Sequence, residues 1–369
     1  MNESLHIPPP LHGGQLRHIA THYETNVETL LDFSANINPD GPPPSVGTAI
    51  QWALANPATL TAYPELELTE LKQVIAGCDG VQPENIAVAN GFVPLLDATL
   101  RALPIKRCLL PVPSFSEYRR TLENAAVAVT PYLIAPEGNF SYKPDSIFQS
   151  MWDNDCDAVL LANPQNPSGA LCEAHEMLRL VERAKDHGIT VLLDEAFIDY
   201  CPAQSLSKQA TEQPNLIVFR SVTKFFAVPG LRVAYAVCAS SKAQMLNRFI
   251  APWPVTALAS QAVCAALLDG AYAKRTRSAN ERRRLWLEEQ FNGLRIETYP
   301  CAANFFLLRF PAEVDVRTLW ERMIVEEHIV LRSCANFEGL ATGHLRVAVR
   351  SEQENERLIN GLKRVITSC

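Results

Sequence analysis

With 369 residues, 47% of them hydrophobic and 20% charged, the chain is long enough for about two domains and has the make-up of an ordinary globular protein. A net charge of −7 and the lack of any basic run argue against nucleic acid and anionic membranes as partners. No apolar run approaches the roughly 20 residues that span a bilayer. Ten cysteines scattered singly from Cys78 to Cys369, with no CxxC, point to reduced thiols in a cytoplasmic enzyme, not to a disulfide framework or a metal site.

The N-terminal stretch MNESLHIPPPLHGG has neither a basic leader nor an apolar core, so it does not read as a signal peptide. Residues 1–44 carry two proline triplets, Pro8–Pro10 and Pro42–Pro44, and read as an extended arm with little regular structure. From about residue 46 helical patterns alternate with short apolar runs: IAVAN (86–90), RCLLPVP (107–113), AVLLAN (158–163), ITVLLDEAF (189–197), LIVFRS (216–221) and VAYAVC (233–238). Such alternation predicts an α/β domain over 45–270, with a mostly parallel sheet covered on both faces. Within it, EMLRLVERAKDHG (176–188) has helical spacing and a stop at Gly188. Residues 271–294 read as one long charged helix leading into a smaller α+β domain over 271–369. Its strand-like segments are RIETY (295–299), NFFLLRF (304–310), IVLRS (329–333) and HLRVAVR (344–350). A last helix begins after Ser351, with Glu354 completing a capping box and Leu358, Leu362, Val365 and Ile366 as its buried stripe.

In open α/β sheets ligands bind beyond the carboxyl ends of the strands. Four runs end in polar groups: Asn90-Gly91-Phe92, the NPQNP stretch with Asn166, Asp194-Glu195, and Ser221-Val222-Thr223-Lys224. The last places a lysine among Phe225, Phe226, Ala227 and Val228, where desolvation opposes its charge. A lysine that snorkels to solvent would fit, and so would one that has formed an imine with a carbonyl cofactor. Pyridoxal phosphate needs this whole set. Its aldehyde takes a lysine, its ring nitrogen a carboxylate that keeps the pyridinium protonated, its phenolic oxygen an amide. Its phosphate suits a helix start opened by Gly91, with Ser221 and Arg232 completing the cup. Phe115, in PVPSFSEY, is the candidate ring to hold the cofactor flat. Each piece alone has a plainer explanation: a turn asparagine, a helix-capping acid, the Ser-x-x-Lys of a hydrolase. Their order and placement carry the argument, and neither GxxxxGK[ST] nor GxGxxG occurs.

NPQNPSG (163–169), DEAF (194–197) and SVTKFFAVPGLR (221–232) together resemble the signature set of the fold-type-I pyridoxal phosphate enzymes, the aspartate aminotransferase superfamily. The resemblance covers nearly the whole chain. It implies Lys224 as the imine lysine and general acid, Asp194 as the pyridinium partner and Asn166 as the amide. Gly91, Phe92, Val93, Ser221 and Arg232 are implied at the cofactor phosphate, and Tyr63, in AYPE, at a phosphate across a homodimer interface. The turn Asn-Gly-Phe-Val departs from an expected Asn-Gly-Glu-Thr, so Val93 offers only its backbone N–H.

Two branches compete: the histidinol-phosphate aminotransferases and the threonine-phosphate decarboxylases of cobalamin biosynthesis. Both act on phosphorylated, amine-bearing substrates. The resemblance implies Arg346 at the substrate carboxylate and Arg332 at its phosphate, and Arg350 is a third candidate, against a surface ion pair. HGGQLRH (12–18), DFSANINPDG (32–41) and RSCANFEGL (332–340) resemble the decarboxylases. So does Phe197, where the aminotransferases usually have a tyrosine. His12, Gly13 and Gly14 are expected to close over the substrate phosphate, with Asn36 nearby; an arm that only packs on a partner subunit is the alternative. The expected reaction is decarboxylation of L-threonine O-3-phosphate, with the aminotransferase reaction or L-serine O-phosphate decarboxylation as alternatives. A cofactor-binding regulator without turnover is disfavoured, since the chain offers no basic recognition helix.

Overall fold

The computed structural model describes residues 9–367. Pro8 with the residues before it, and Cys369, lie outside the described residues. The apolar runs form a seven-stranded sheet. Its strands are β1 (Ile86–Ala89), β2 (Arg107–Val112), β3 (Ala128–Leu133), β4 (Ala158–Ala162), β5 (Thr190–Asp194), β6 (Leu216–Ser221) and β7 (Ala234–Val237). The order is β1-β7-β6-β5-β4-β2-β3, and every pairing is parallel except the two made by β7. All residues of β1, β4 and β7 are buried, as strands covered on both faces must be. The sequence reading missed β3: at the sheet edge it is half exposed, and AVTPYL carries Pro131, which only an edge strand tolerates.

The smaller sheet is antiparallel, in the order β10-β11-β9-β8, from β8 (Glu297–Thr298), β9 (Phe305–Arg309), β10 (Arg332–Ser333) and β11 (His344–Ala348). The run IVLRS does not form one strand. Ile329–Val330 pairs in parallel with Leu31–Asp32, while Arg332–Ser333 pairs with β11. The charged segment is a single helix, Gly270–Gly293. The last helix, Glu352–Thr367, is capped reciprocally by Ser351 and Glu354, and Leu358, Leu362 and Val365 are fully buried.

Residues 9–44 are not the loose arm that their prolines suggest. Leu16–His22 is helical, and Ile19, Leu30 and Phe33 are buried in the core of the small sheet beside Phe305, Trp320 and Leu358. The amide groups of Leu31 and Phe33 donate to the carbonyls of His328 and Val330. Pro44 starts the helix Pro44–Ala55, a first-turn position where its missing N–H costs nothing. Asp40 pairs with Arg283 of the long helix at 2.8 Å, and Arg283 also meets Glu352 at 2.9 Å. Among the described residues, no helix is long and apolar enough to cross a membrane.

Candidate active site

The carboxyl ends of β1, β4, β5 and β6 open onto a cavity of about 360 Å³ that also receives side chains from the small sheet and from residues 12–36. After β1 the chain turns at Gly91 with φ of +94°; a Cβ there would meet the Arg232 guanidinium at 2.7 Å, so the position requires glycine. The helix Phe92–Ala102 follows at once, and its first turn directs the N–H groups of Phe92 and Val93 toward the same end. Ser221 and Arg232 line this side, with the Ser221 hydroxyl 2.8 Å from that of Thr223.

The loop after β4 is built by its own amides. Asn163 bonds both ways with the Cys172 backbone, and Gln165 donates to the Pro113 carbonyl and accepts from Ser168. This leaves Asn166 in the cavity wall, where its Oδ1 accepts from Arg346 at 2.6 Å. Its Nδ2 is thereby the end left to donate.

Asp194 ends β5. One carboxylate oxygen accepts from the Tyr118 hydroxyl at 2.6 Å and the other from the Ala196 N–H at 2.9 Å. Burial pushes its pKa up to about 6, and these two bonds and Lys224 oppose the rise. Burial also pushes the Tyr118 hydroxyl far up, with the Asp194 charge adding to it, so Tyr118 is a fixed donor. Lys224 faces the cavity with no ion pair among the described residues. Burial first, then Arg346 and Arg232, push its pKa down to about 8, while Asp194 works the other way. Phe115 packs edge-on against Tyr118 at 5.6 Å and at 5.9 Å from His12. Phe197 is buried against Phe305, with ring centres 5.0 Å apart.

The opposite wall belongs to two arginines. Strand register sets Arg332 of β10 directly across from Arg346 of β11, and both are buried. Arg346 donates to the Ser34 carbonyl at 3.1 Å; burial and then Arg332 push its pKa down to about 10. Arg332 donates to the carbonyls of Pro10 at 3.2 Å and Leu11 at 2.6 Å and to Asn336, and lies over Phe337. His12 and Gly13 also line the cavity. Asn36 is 3% exposed, and its Oδ1 has no hydrogen-bond partner among the described residues.

Three candidates lie elsewhere. Gly14 sits behind the wall, its N–H donating to Ser34 Oγ at 2.9 Å. Tyr63 is 80% exposed and stacked on Trp253, outside the cavity of its own chain. Arg350 is not part of the cavity lining: it pairs with Glu354 at 2.6 Å, and its backbone is tied to Asn355 at the start of the last helix. The structure adds Tyr118, Ser34, Glu117, Thr223 and Phe337. Tyr118 had a usable signal, since it stands one helical turn beyond Phe115 in PVPSFSEY.

A lysine, a buried carboxylate held by a fixed donor, an amide with a spare N–H and a helix start beside an arginine define a fold-type-I pyridoxal phosphate site. Asn36 Oδ1 and Arg346 Nε, both without a hydrogen-bond partner among the described residues, fit a site completed by a ligand. The chain belongs to the aminotransferase class I and II family, whose model matches residues 28–362. It is 34% identical to the threonine-phosphate decarboxylase of Salmonella typhimurium, over 96% of each chain. Among solved structures, the histidinol-phosphate aminotransferase of Clostridium acetobutylicum superposes with a TM-score of 0.85 at 28% identity, covering 92% of this chain and 100% of that one. The L-threonine-O-3-phosphate decarboxylase of Porphyromonas gingivalis gives 0.78 at 25%, covering 91% and 99%.

Proposed function

We propose that this chain removes the carboxylate of L-threonine O-3-phosphate as CO2, leaving (R)-1-amino-2-propanol O-2-phosphate, in the synthesis of the cobalamin side chain. The observation that carries this reading is the Arg332–Arg346 pair. Two like charges set directly across a β ladder and buried together are unfavourable unless anions meet them. With His12 beside them, they make room for two anionic groups beyond the cofactor phosphate, as a phosphorylated amino acid brings. The 34% identity to a threonine-phosphate decarboxylase supports the same reading.

In this reading Lys224 carries the cofactor and Asp194, steadied by Tyr118, keeps the proton on its ring nitrogen. Asn166 Nδ2 donates to the phenolic oxygen, and Phe115 covers one ring face. The phosphate is held by the Gly91, Phe92 and Val93 backbone, Ser221 and Arg232, with Tyr63 reaching the phosphate of a neighbouring copy. When bound, pyridoxal phosphate supplies a ring that takes up the electron pair released at the substrate α carbon. Arg346 holds the substrate carboxylate. Arg332, His12 and the Gly13–Gly14 turn hold its phosphate, and Asn36 faces the substrate. The arginines fix which bond at the α carbon stands perpendicular to the ring. Lys224, released as a free amine once the substrate amine takes its place and with a pKa of about 8, would then deliver a proton to the carbon that has lost CO2.

The chain works as a homodimer in the cytoplasm. Trp52 and Tyr63 are each 80% exposed and Leu60 69%, large apolar side chains that a second copy would cover.

Product analysis separates the alternatives. The cofactor-loaded protein is expected to form aminopropanol phosphate from L-threonine O-3-phosphate alone and no glutamate from histidinol phosphate with 2-oxoglutarate. The reverse result would make it an aminotransferase. L-serine O-phosphate belongs in the same assay, because a methyl pocket discriminates by only about 1–3 kcal/mol.

A further inference from the structure

Besides Asp194, the only carboxylate among the described residues that lines the cavity is Glu117. An acid facing a site built for anions works against them unless something neutralises it. Glu117 stands in the first turn of the helix Ser116–Asn124, where the helix dipole favours an acid. That preference explains the residue type, but not its direction: the side chain is only 13% exposed and meets Nε2 of His12 at 2.9 Å. Its other partner, Arg120 at 3.3 Å, is 69% exposed.

His12 belongs to a stretch fixed at both ends. On the small-domain side, Leu11 gives its carbonyl to Arg332 at 2.6 Å and to Asn336 at 3.3 Å. On the large-domain side, His12 meets Glu117 at 2.9 Å and lies tilted against the Phe115 ring. Just beyond His12, Gly13 packs so closely on the Ser34 carbonyl that a Cβ would stand 2.1 Å from it, and the Gly14 N–H bonds to Ser34 Oγ. Residues 10–14 therefore cross the mouth of the cavity from one domain to the other.

We propose that Glu117 is a positioning residue: by holding His12 it draws the arm across the cavity mouth and sets His12 and the Gly13–Gly14 turn where a phosphorylated substrate meets them. The kinetic part of this inference rests on the proposed substrate; the positioning part does not.

The test uses cofactor-loaded full-length E117Q, H12N and their double variant, with R120Q as a control that disturbs only the exposed partner. E117Q keeps the side-chain volume. Hydrogen exchange of peptides spanning residues 11–18 is expected to speed up about tenfold in E117Q, which keeps an oxygen facing Nε2 of His12 but removes its charge. It should rise no further in the double variant and stay at the parent rate in R120Q, while peptides of Phe92–Ala102 keep their protection. KM for L-threonine O-3-phosphate should rise about tenfold in E117Q with kcat within about twofold of the parent. Parent-like exchange in E117Q, or effects of E117Q and H12N that add in full, would overturn the proposal. Faster arm exchange in a protein that does not turn over threonine phosphate would uphold the positioning role and sink the substrate assignment.

Discussion

In the proposed reaction Lys224 is the residue on which the chemistry turns, and its surroundings make a testable demand. Burial and two arginines lower its pKa to about 8 from the ordinary lysine value of 10.5, so the neutral amine that attacks an aldehyde gains population as pH rises toward 8. Capture of pyridoxal phosphate by the apoprotein should accelerate about tenfold per pH unit below that point and level off above it, in a stopped-flow absorbance experiment. A rate still climbing steeply between pH 9 and 10 would mean an ordinary exposed lysine. At this scale the site was largely legible. Asn166, Asp194, Ser221 and Lys224 sit at strand ends that apolar runs mark out, and the structure brings all four to one cavity. Arg350 was not legible, because an arginine on a strand looks the same whether it faces a substrate or pairs with Glu354 at the start of a helix. Glu117 was hidden for a similar reason: a first-turn acid needs no function.

Among the elements, β5 divides its end between two jobs. Asp194 faces the cavity. The next residue, Glu195, turns the other way and is wholly buried in a cluster with Asp79, Asp199 and Arg220. Burial raises the Glu195 pKa to about 7, with Arg220 the largest opposing influence. A buried cation holding several acids is costly to remove, because its partners are left uncompensated. Arg220→Leu should therefore destabilise the protein by about 3–5 kcal/mol, read as a drop in the denaturation midpoint at unchanged slope. The raised Glu195 pKa has a definite sign. Its stabilising contribution is full below the unfolded value of 4.5 and is lost as pH rises through about 7. The element scale is also where sequence reading failed most. The helix Leu16–His22 and the strand Leu31–Asp32 are too short to show a period, and their apolar residues find partners some 300 positions later. Proline-rich flanks hid them further.

Across the whole molecule, one cavity is assembled from the strand ends of the large sheet, two arginines of the small sheet and an arm that spans the two. The exposed Trp52, Leu60 and Tyr63 are not among the residues that line that cavity. Light scattering of the cofactor-loaded protein should give twice the 40.9 kDa chain mass, and a monomer that retains full activity would remove Tyr63 from the site. Family and fold follow from the chain as a whole, whereas the reaction depends on which bond the arginines present. The most direct measurement is therefore release of label from carboxyl-labelled L-threonine O-3-phosphate, with pyridoxal phosphate present and no 2-oxo acid. Sustained release over many turnovers per site is expected. Label that stays in the amino acid, or leaves at no more than one equivalent, would contradict it.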